Sequence, residues 1–333
     1  MKSSPVRKRV SACGACLALL LSVSLFLVAQ KQPVELHSDV TPPFRFVAYG
    51  DTRFTDPSNT EAANPTMRKM LVQAIADVHP AFISIGGDIA YRGDHAEDWK
   101  VWDAETAVWR ERNIPVYPAL GNHDLHGKKK IALRNYFRRF PELKHSRYYS
   151  VRAGNALMLV LDSSLEEMHG PQGQWLTSQL NAIRPAVDFV FLVLHHPPYT
   201  SSSDEKRYGG GHSARHTEQA LAGMLEQRQR RTRARFIVFA GHVHNYERHE
   251  HNGVTYFVTG GGGAHAYPIE RSADDLFRSK EVNYHYLLVE DTGRKLTVTM
   301  NRLDVTTGKP VWTQPDSVTI VAPNATPAGA GAR

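Results

Sequence analysis

Ala81-Phe82-Ile83-Ser84-Ile85-Gly86-Gly87-Asp88-Ile89-Ala90-Tyr91 is the stretch on which the reading of this chain turns. A mostly apolar run meets two glycines and an aspartate, and Gly93-Asp94 follows closely. A short apolar run bounded by glycine reads as a buried strand ending in a tight turn. In open α/β sheets the carboxyl ends of strands are where sites are built. Asp88 stands at such an end, where its carboxylate could bridge two metal ions, and Tyr91 is close enough in sequence to reach the same place. A glycine-aspartate pair after a strand is also an ordinary turn, so the reading rests on the remaining strands.

Those strands repeat the pattern. Phe44 to Tyr49 leads into Gly50-Asp51-Thr52-Arg53. Ile114 to Leu120 carries Pro115 and Pro118, which makes it short or irregular, and it leads into Gly121-Asn122-His123-Asp124. Phe189 to Leu194 ends in His195-His196-Pro197-Pro198, and Phe236 to Ala240 ends in Gly241-His242-Val243-His244. Two further runs, Ala156 to Leu161 and Val254 to Thr259, end in Asp162-Ser163-Ser164 and in glycines 260–263. Helical periodicity at Met67, Met70, Leu71, Ala74, Ile75 and Val78 stops at Pro80. Helices are also expected over 95–112, around Gln174 to Leu180, and over 214–229. The segment 284–321 alternates as antiparallel strands. Near-continuous apolar strands separated by helices indicate sheets buried under helices.

The ends of the chain read differently. Lys2, Arg7, Lys8 and Arg9 precede an uncharged, mostly apolar stretch, Ala12 to Ala29, with no acid before Glu35. Residues 1–30 are therefore expected to be a secretory signal or an uncleaved N-terminal membrane anchor. Residues 31–43 read as a linker, 44–321 as the folded domain and 322–333 as a disordered tail. Both cysteines, Cys13 and Cys16, fall in the first segment, so the remainder holds no disulfide and no thiolate metal site. The formal charge of +7 shrinks as well: four of the 40 Lys and Arg lie in that segment, leaving 36 against 33 acids, or +3. That balance speaks against nucleic acid as the primary partner. The basic run Arg228 to Arg235 reads as a solvated helix end.

The side chains gathered at the strand ends are Asp51, Asp88, Tyr91, Asn122, His195, His242 and His244. All donate oxygen or imidazole nitrogen, a set that suits iron, zinc or manganese. They are too many for one four-coordinate ion but suit two ions sharing a carboxylate, the clamp used for in-line displacement at phosphorus. The histidines at 37, 79, 95, 126, 145, 169, 216, 249, 251, 265 and 285 read as surface or loop residues.

Taken in order, Gly50-Asp51, Gly87-Asp88-x-x-Tyr91, Gly121-Asn122-His123-Asp124, a strand into His195-His196-Pro197 and Gly241-His242-x-His244 resemble the calcineurin-like metallophosphoesterases over about residues 44–290. Many members carry Asp-x-His at the first motif; here Arg53 takes the histidine's position, and Tyr91 supplies a tyrosine in the second. Losing that histidine and gaining that tyrosine is the pattern of the purple acid phosphatase branch, which Gly241 to Arg248 also resembles. Arg53 departs from that branch too, where the position is usually glycine, so the label is purple-acid-phosphatase-like.

The resemblance implies an α/β fold, a four-layer α/β/β/α sandwich of two mixed sheets flanked by helices, with a binuclear metal site at the carboxyl ends of the strands. It implies Asp51, Tyr91 and His244 on the first metal, Asn122, His195 and His242 on the second, and Asp88 bridging. An anionic tyrosinate favours a trivalent ion, giving Fe(III) beside Fe, Zn or Mn. Hydroxide on such an ion is available at low pH and would attack a phosphate monoester. His123 would protonate the leaving oxygen as general acid, with Asp124 behind it. Arg53, His196 and His212 would face the substrate. The expected protein is an exported phosphomonoesterase, secreted or periplasmic, acting on a small phosphate ester and tethered to the membrane if residues 12–29 are retained. A phosphodiesterase acting on nucleotides or phospholipid head groups is the close alternative. A non-catalytic binding protein on the same fold is the other, and its mark would be a missing ligand or a missing His123.

Overall fold

The computed structural model describes residues 33–166, 169–203, 212–305 and 309–323. The expected signal or anchor therefore lies outside the described residues, as does most of the expected tail. Two seven-stranded sheets face each other. The first runs β1 (Glu35–Ser38), β5 (Tyr149–Ala153), β6 (Ala156–Val160), β7 (Phe189–Leu194), β8 (Arg235–Ala240), β10 (Val254–Thr259) and β9 (Tyr246–His251). The second runs β13 (Val311–Thr313), β12 (Lys295–Asp304), β11 (Tyr284–Asp291), β2 (Phe44–Tyr49), β3 (Ile83–Ile85) and β4 (Val116–Pro118), with β14 (Ser317–Val321) also pairing β12. Both sheets are mixed: β6, β7, β8 and β10 form a parallel run in one and β2, β3 and β4 in the other.

Strand alternation builds the layers. Phe189, Phe191 and Val193 of β7 point to the other sheet, and Val190, Leu192 and Leu194 point outward to helices. Phe46 of β2 meets Phe191 at 5.1 Å and Phe239 of β8 at 6.2 Å between ring centroids, so the two inner faces interlock. Each such fully buried side chain contributes about 1.5–3 kcal/mol. Outside the first sheet lie α5 (Pro171–Asn181) and α6 (His216–Gln229), which bury Trp175, Leu176, Leu221 and Leu225. The core between the sheets is continuous with side chains buried by α1 (Pro65–Asp77), α2 (Ala96–Glu105), α3 (Ala107–Glu111) and α4 (Lys129–Arg139). Helix α1 starts where Asn64 Oδ1 accepts the Met67 amide at 3.1 Å and Pro65 fills the first position.

The four-layer α/β/β/α architecture is the one expected. The boundaries need correction. The expected linker 31–43 contains β1, which pairs in parallel with β5, Leu36 opposite Val151. The folded body therefore begins at least as early as Pro33. The expected tail begins too soon, since Ala322 is buried in the core and donates its amide to Arg294. The register explains the site: Tyr49 lies opposite Ile85, and Ile85 opposite Pro118, so Asp51, Asp88 and Asn122 all leave one edge of the sheet. In the first sheet Leu194 lies opposite Ala240, which brings His195 and His242 out together.

Candidate metal centre

The turns at these strand ends are strained. Asp51, Arg53, Asp88 and His242 have φ of 57°, 42°, 53° and 72°. Side chains rarely adopt that left-handed region, and such residues concentrate where function over-determines the backbone. Gly87, at φ 88°, lies where a Cβ would meet the Gly121 backbone at 2.8 Å. A Cβ on Gly121 would in turn run into the Asp88 carboxylate. The glycines let the Asp88 and Asn122 turns touch. Main-chain bonds then lock the turns together: Asp51 N to Gly87 O at 3.0 Å, Arg53 N to Asp88 O at 2.9 Å, and Gly241 N to His195 O at 3.0 Å.

The decisive observation concerns hydrogen-bond polarity. His195 Nδ1 lies 2.9 Å from the Gly86 carbonyl, which only accepts, so that nitrogen carries the proton. Nε2 is then a lone pair, yet it faces Asn122 Oδ1 at 2.9 Å, Asp88 Oδ1 at 3.4 Å and His242 Nδ1 at 3.2 Å. His244 repeats the arrangement. Its Nδ1 donates to the His265 carbonyl at 2.8 Å, which leaves Nε2 facing Asp51 Oδ1 at 3.6 Å. Asp51 Oδ1 and His244 Nε2 are both buried without a hydrogen-bond partner. Asp51, Asp88 and His195 are fully buried, and Asp51, Asp88 and His244 bring their ligand atoms within 4.8 Å of one another. Acceptors that converge on buried space need a cation between them.

The electrostatics agree. Burial pushes the Asp51 carboxyl up, and the Asp88 charge adds to it. Burial works the same way on Asp88, but the Arg53 guanidinium and the hydrogen bond from the His123 amide oppose it, and that carboxyl is held ionised well below its usual range. Burial also pushes His195, His196 and His244 down, keeping the imidazoles in the neutral, metal-binding form.

The structure thus gathers six of the seven expected donors: Asp51, Asp88, Asn122, His195, His242 and His244. The seventh, Tyr91, stacks its ring on His123, centroids 5.4 Å apart at 27°. Its carbonyl accepts from His123 Nδ1 at 2.7 Å. Asp124, expected behind His123, does other work: its carboxylate accepts the amides of Ile89, Ala90 and Gly121 at 2.9–3.0 Å and clamps the two turns. The Tyr91 carbonyl, not Asp124, sets the His123 ring. His196 packs its ring 4.4 Å from that of His242 and bonds Ser163 Oγ through Nδ1 at 2.8 Å. His212 sits against His242 and His244, at 4.9 and 6.1 Å between rings. Arg53 lies on the Asp88 carboxylate, Nη2 to Oδ2 at 3.2 Å.

Three supports escape a reading of the sequence. Buried Arg68 pairs with Glu105 through two 2.9 Å bonds and holds the Arg53 carbonyl at 3.2 Å. Tyr267 Oη accepts the His244 amide at 3.3 Å. The His265 carbonyl fixes the His244 tautomer. None lies near a ligand in sequence, and no local spacing announces them.

A strained, glycine-lined cluster of carboxylates and imidazoles on a double-sheet α/β sandwich defines a metal-dependent phosphoesterase. The calcineurin-like phosphoesterase model matches residues 44–246, and the chain belongs to that family of metal-dependent hydrolases. Within it the likeness runs to purple acid phosphatases. A phosphoenolpyruvate phosphatase of Allium cepa is 28% identical over 203 residues, covering 55% of this chain and 39% of that protein. An Fe(3+)-Zn(2+) purple acid phosphatase of Arabidopsis thaliana is 25% identical over 238 residues, covering 66% and 46%. The chain thus matches less than half the length of these two relatives. A purple acid phosphatase from yellow lupin seeds superposes with a TM-score of 0.66 at 17% identity, covering 87% of this chain and 58% of that one.

Proposed function

We propose that this chain hydrolyses phosphate monoesters at a two-metal centre of the purple acid phosphatase kind. The observation that carries the reading is the pair of facing acceptor sets: His195 Nε2 with Asn122 and Asp88, and His244 Nε2 with Asp51. Asp51, His244 and the Tyr91 phenolate are assigned to one ion, Asn122, His195 and His242 to the other, with Asp88 between. The first ion is assigned as Fe(III) and the second as Fe, Zn or Mn. Bound there, the metals would neutralise phosphate charge and supply a nucleophile at mildly acid pH.

The protein's own groups do the rest. His123 has Nδ1 committed to the Tyr91 carbonyl, so Nε2 is the atom left to hand a proton to the leaving oxygen. Burial and the neighbouring imidazoles keep His196 neutral, able to donate a hydrogen bond to phosphate without adding charge. Arg53, 14% exposed at its side chain, stands between Asp88 and solvent, where its guanidinium can take phosphate oxygens. His212 completes the rim over His242.

The basic, apolar N-terminus supports export to the periplasm or the exterior, with a tether if the segment is retained. Among the described residues no helix is long and apolar enough to cross a membrane. Residues 204–211 lie outside the described residues. The test is a panel of mono- and diesters against iron- and manganese-loaded protein across pH. Faster turnover of monoesters, with an optimum below neutrality, is expected. Preference for diesters would replace this reading with the phosphodiesterase one.

A further inference from the structure

A second cluster of ligand atoms lies on β9, at the edge of the first sheet and apart from the catalytic centre. Alternate residues Glu247, His249 and His251 share one face of that strand. That face turns inward: Glu247 and His249 are fully buried. His249 Nε2 is 3.1 Å from Glu247 Oε2, and His249 Nδ1 is 3.2 Å from Asp274 Oδ2. His251 Nε2 is 3.3 Å from the same Asp274 oxygen, yet it is a buried ring nitrogen with no hydrogen-bond partner. The three ligand atoms lie within 4.8 Å of one another.

We propose that His249 Nδ1, His251 Nε2 and Asp274 Oδ2 hold a zinc ion, a structural site distinct from the catalytic pair. Donors about 2.0–2.1 Å from a tetrahedral ion stand roughly 3.3 Å from each other, which is the separation found from Asp274 to both imidazoles. The supporting shell is already built. Glu247 takes the Nε2 proton of His249, the carboxylate–histidine arrangement that fixes a ligand's tautomer. Glu247 is itself held by the Thr200 hydroxyl at 2.7 Å. Ser272 Oγ donates to the other Asp274 oxygen at 2.6 Å. The Tyr199 ring stacks on His251 at 3.9 Å and 19°, setting its plane. Asp274 is 46% exposed at its side chain, so water can fill the fourth position. The donor set, two imidazoles and a carboxylate, is one zinc accepts. The ion would join β9 to the segment after β10, the same segment whose His265 carbonyl orients His244.

The test counts ions. The full chain, catalytic centre loaded, is equilibrated with micromolar Zn2+ and analysed for metal per folded chain, beside His251→Ala, Asp274→Asn and His195→Ala. Wild type should hold one zinc ion more than His251→Ala or Asp274→Asn, and His195→Ala should keep that ion while losing metal at the catalytic centre. Replacing Zn2+ with Co2+ should give tetrahedral visible bands that Asp274→Asn abolishes. Glu247→Gln should weaken the site about 10–100-fold. Equal metal content in wild type and in folded Asp274→Asn, with no tetrahedral cobalt bands, would overturn the proposal and leave His249 as an imidazolium paired with two carboxylates. The site is independent of the phosphatase reading, because His195→Ala and the ester panel test that reading separately.

Discussion

At the scale of single residues, Arg53 is the proposed phosphate-binding group and His123 the proposed acid. Arg53 reaches Asp88 at 3.2 Å from a backbone held at φ 42°. Its charge is an asset only if phosphate, too, lies within reach. Arg53→Gln should therefore raise KM for monoesters about tenfold, as the loss of one charge-assisted hydrogen bond would, while metal content stays unchanged. An unchanged KM would assign Arg53 to charge balance on Asp88 alone. The His123 amide donates to Asp88 at 2.8 Å. His123→Ala keeps that amide, so it should retain metal. Its kcat on esters of poor leaving groups should fall about 10²–10⁴-fold, with much less effect on nitrophenyl esters; equal losses on both would remove it as the acid. These residues were legible because each stands beside a strand end. Asp124 was legible as a neighbour of His123, but its real partners, three amides on two turns, depend on how those turns meet.

At the scale of elements, α1 and α2 hold the first turn through Arg68 and Glu105. Both side chains are buried, with 0% and 8% exposure, and the guanidinium also takes the Arg53 and Thr55 carbonyls. Removing one partner strands a buried charge, so Arg68→Ala should cost about 3–5 kcal/mol in urea unfolding. A loss under 1 kcal/mol would show that the pair is dispensable. The long apolar strands and amphipathic helices were readable because burial demands their periodicity. β1, β5, β9 and α4 were not read. β9 reads Tyr-Glu-Arg-His-Glu-His, and its inward face carries Glu247 and His249 where a strand normally carries apolar side chains. β1 is a four-residue edge strand whose pairing partner lies more than a hundred residues away. α4 is basic and has no side-chain cap, so its start carries no local signal.

At the scale of the molecule, the two sheets are joined by a polar contact as well as by the aromatic core. His285 of β11 meets Thr259 of β10 through Nε2 at 3.0 Å, and its Nδ1 donates to Asn283 O at 3.0 Å. Burial pushes this imidazole down to about 4. The unfolded chain binds a proton near the ordinary value of about 6.5, and the folded chain resists it until about 4. Between those values the unfolded state holds more protons, so stability falls as pH drops from about 6.5 to 4, by about 2 kcal/mol at pH 5. Urea midpoints at pH 7 and 5 should converge in His285→Gln relative to wild type; an undiminished pH dependence would shift the cause to other groups. The overall architecture was legible because five strand ends carry the same chemistry, and only a fold that lines those ends along one edge uses them together.

The most direct measurement of the central claim is anomalous diffraction from crystals of the metal-loaded protein, collected at the absorption edge of the bound metal. The account predicts two peaks at the strand ends, about 3.5–4 Å apart as in two-metal hydrolases. Asp88 should lie between them, Asp51, Tyr91 and His244 on one ion, and Asn122, His195 and His242 on the other. A single peak there, or none with Arg53 still seated on Asp88, would contradict it.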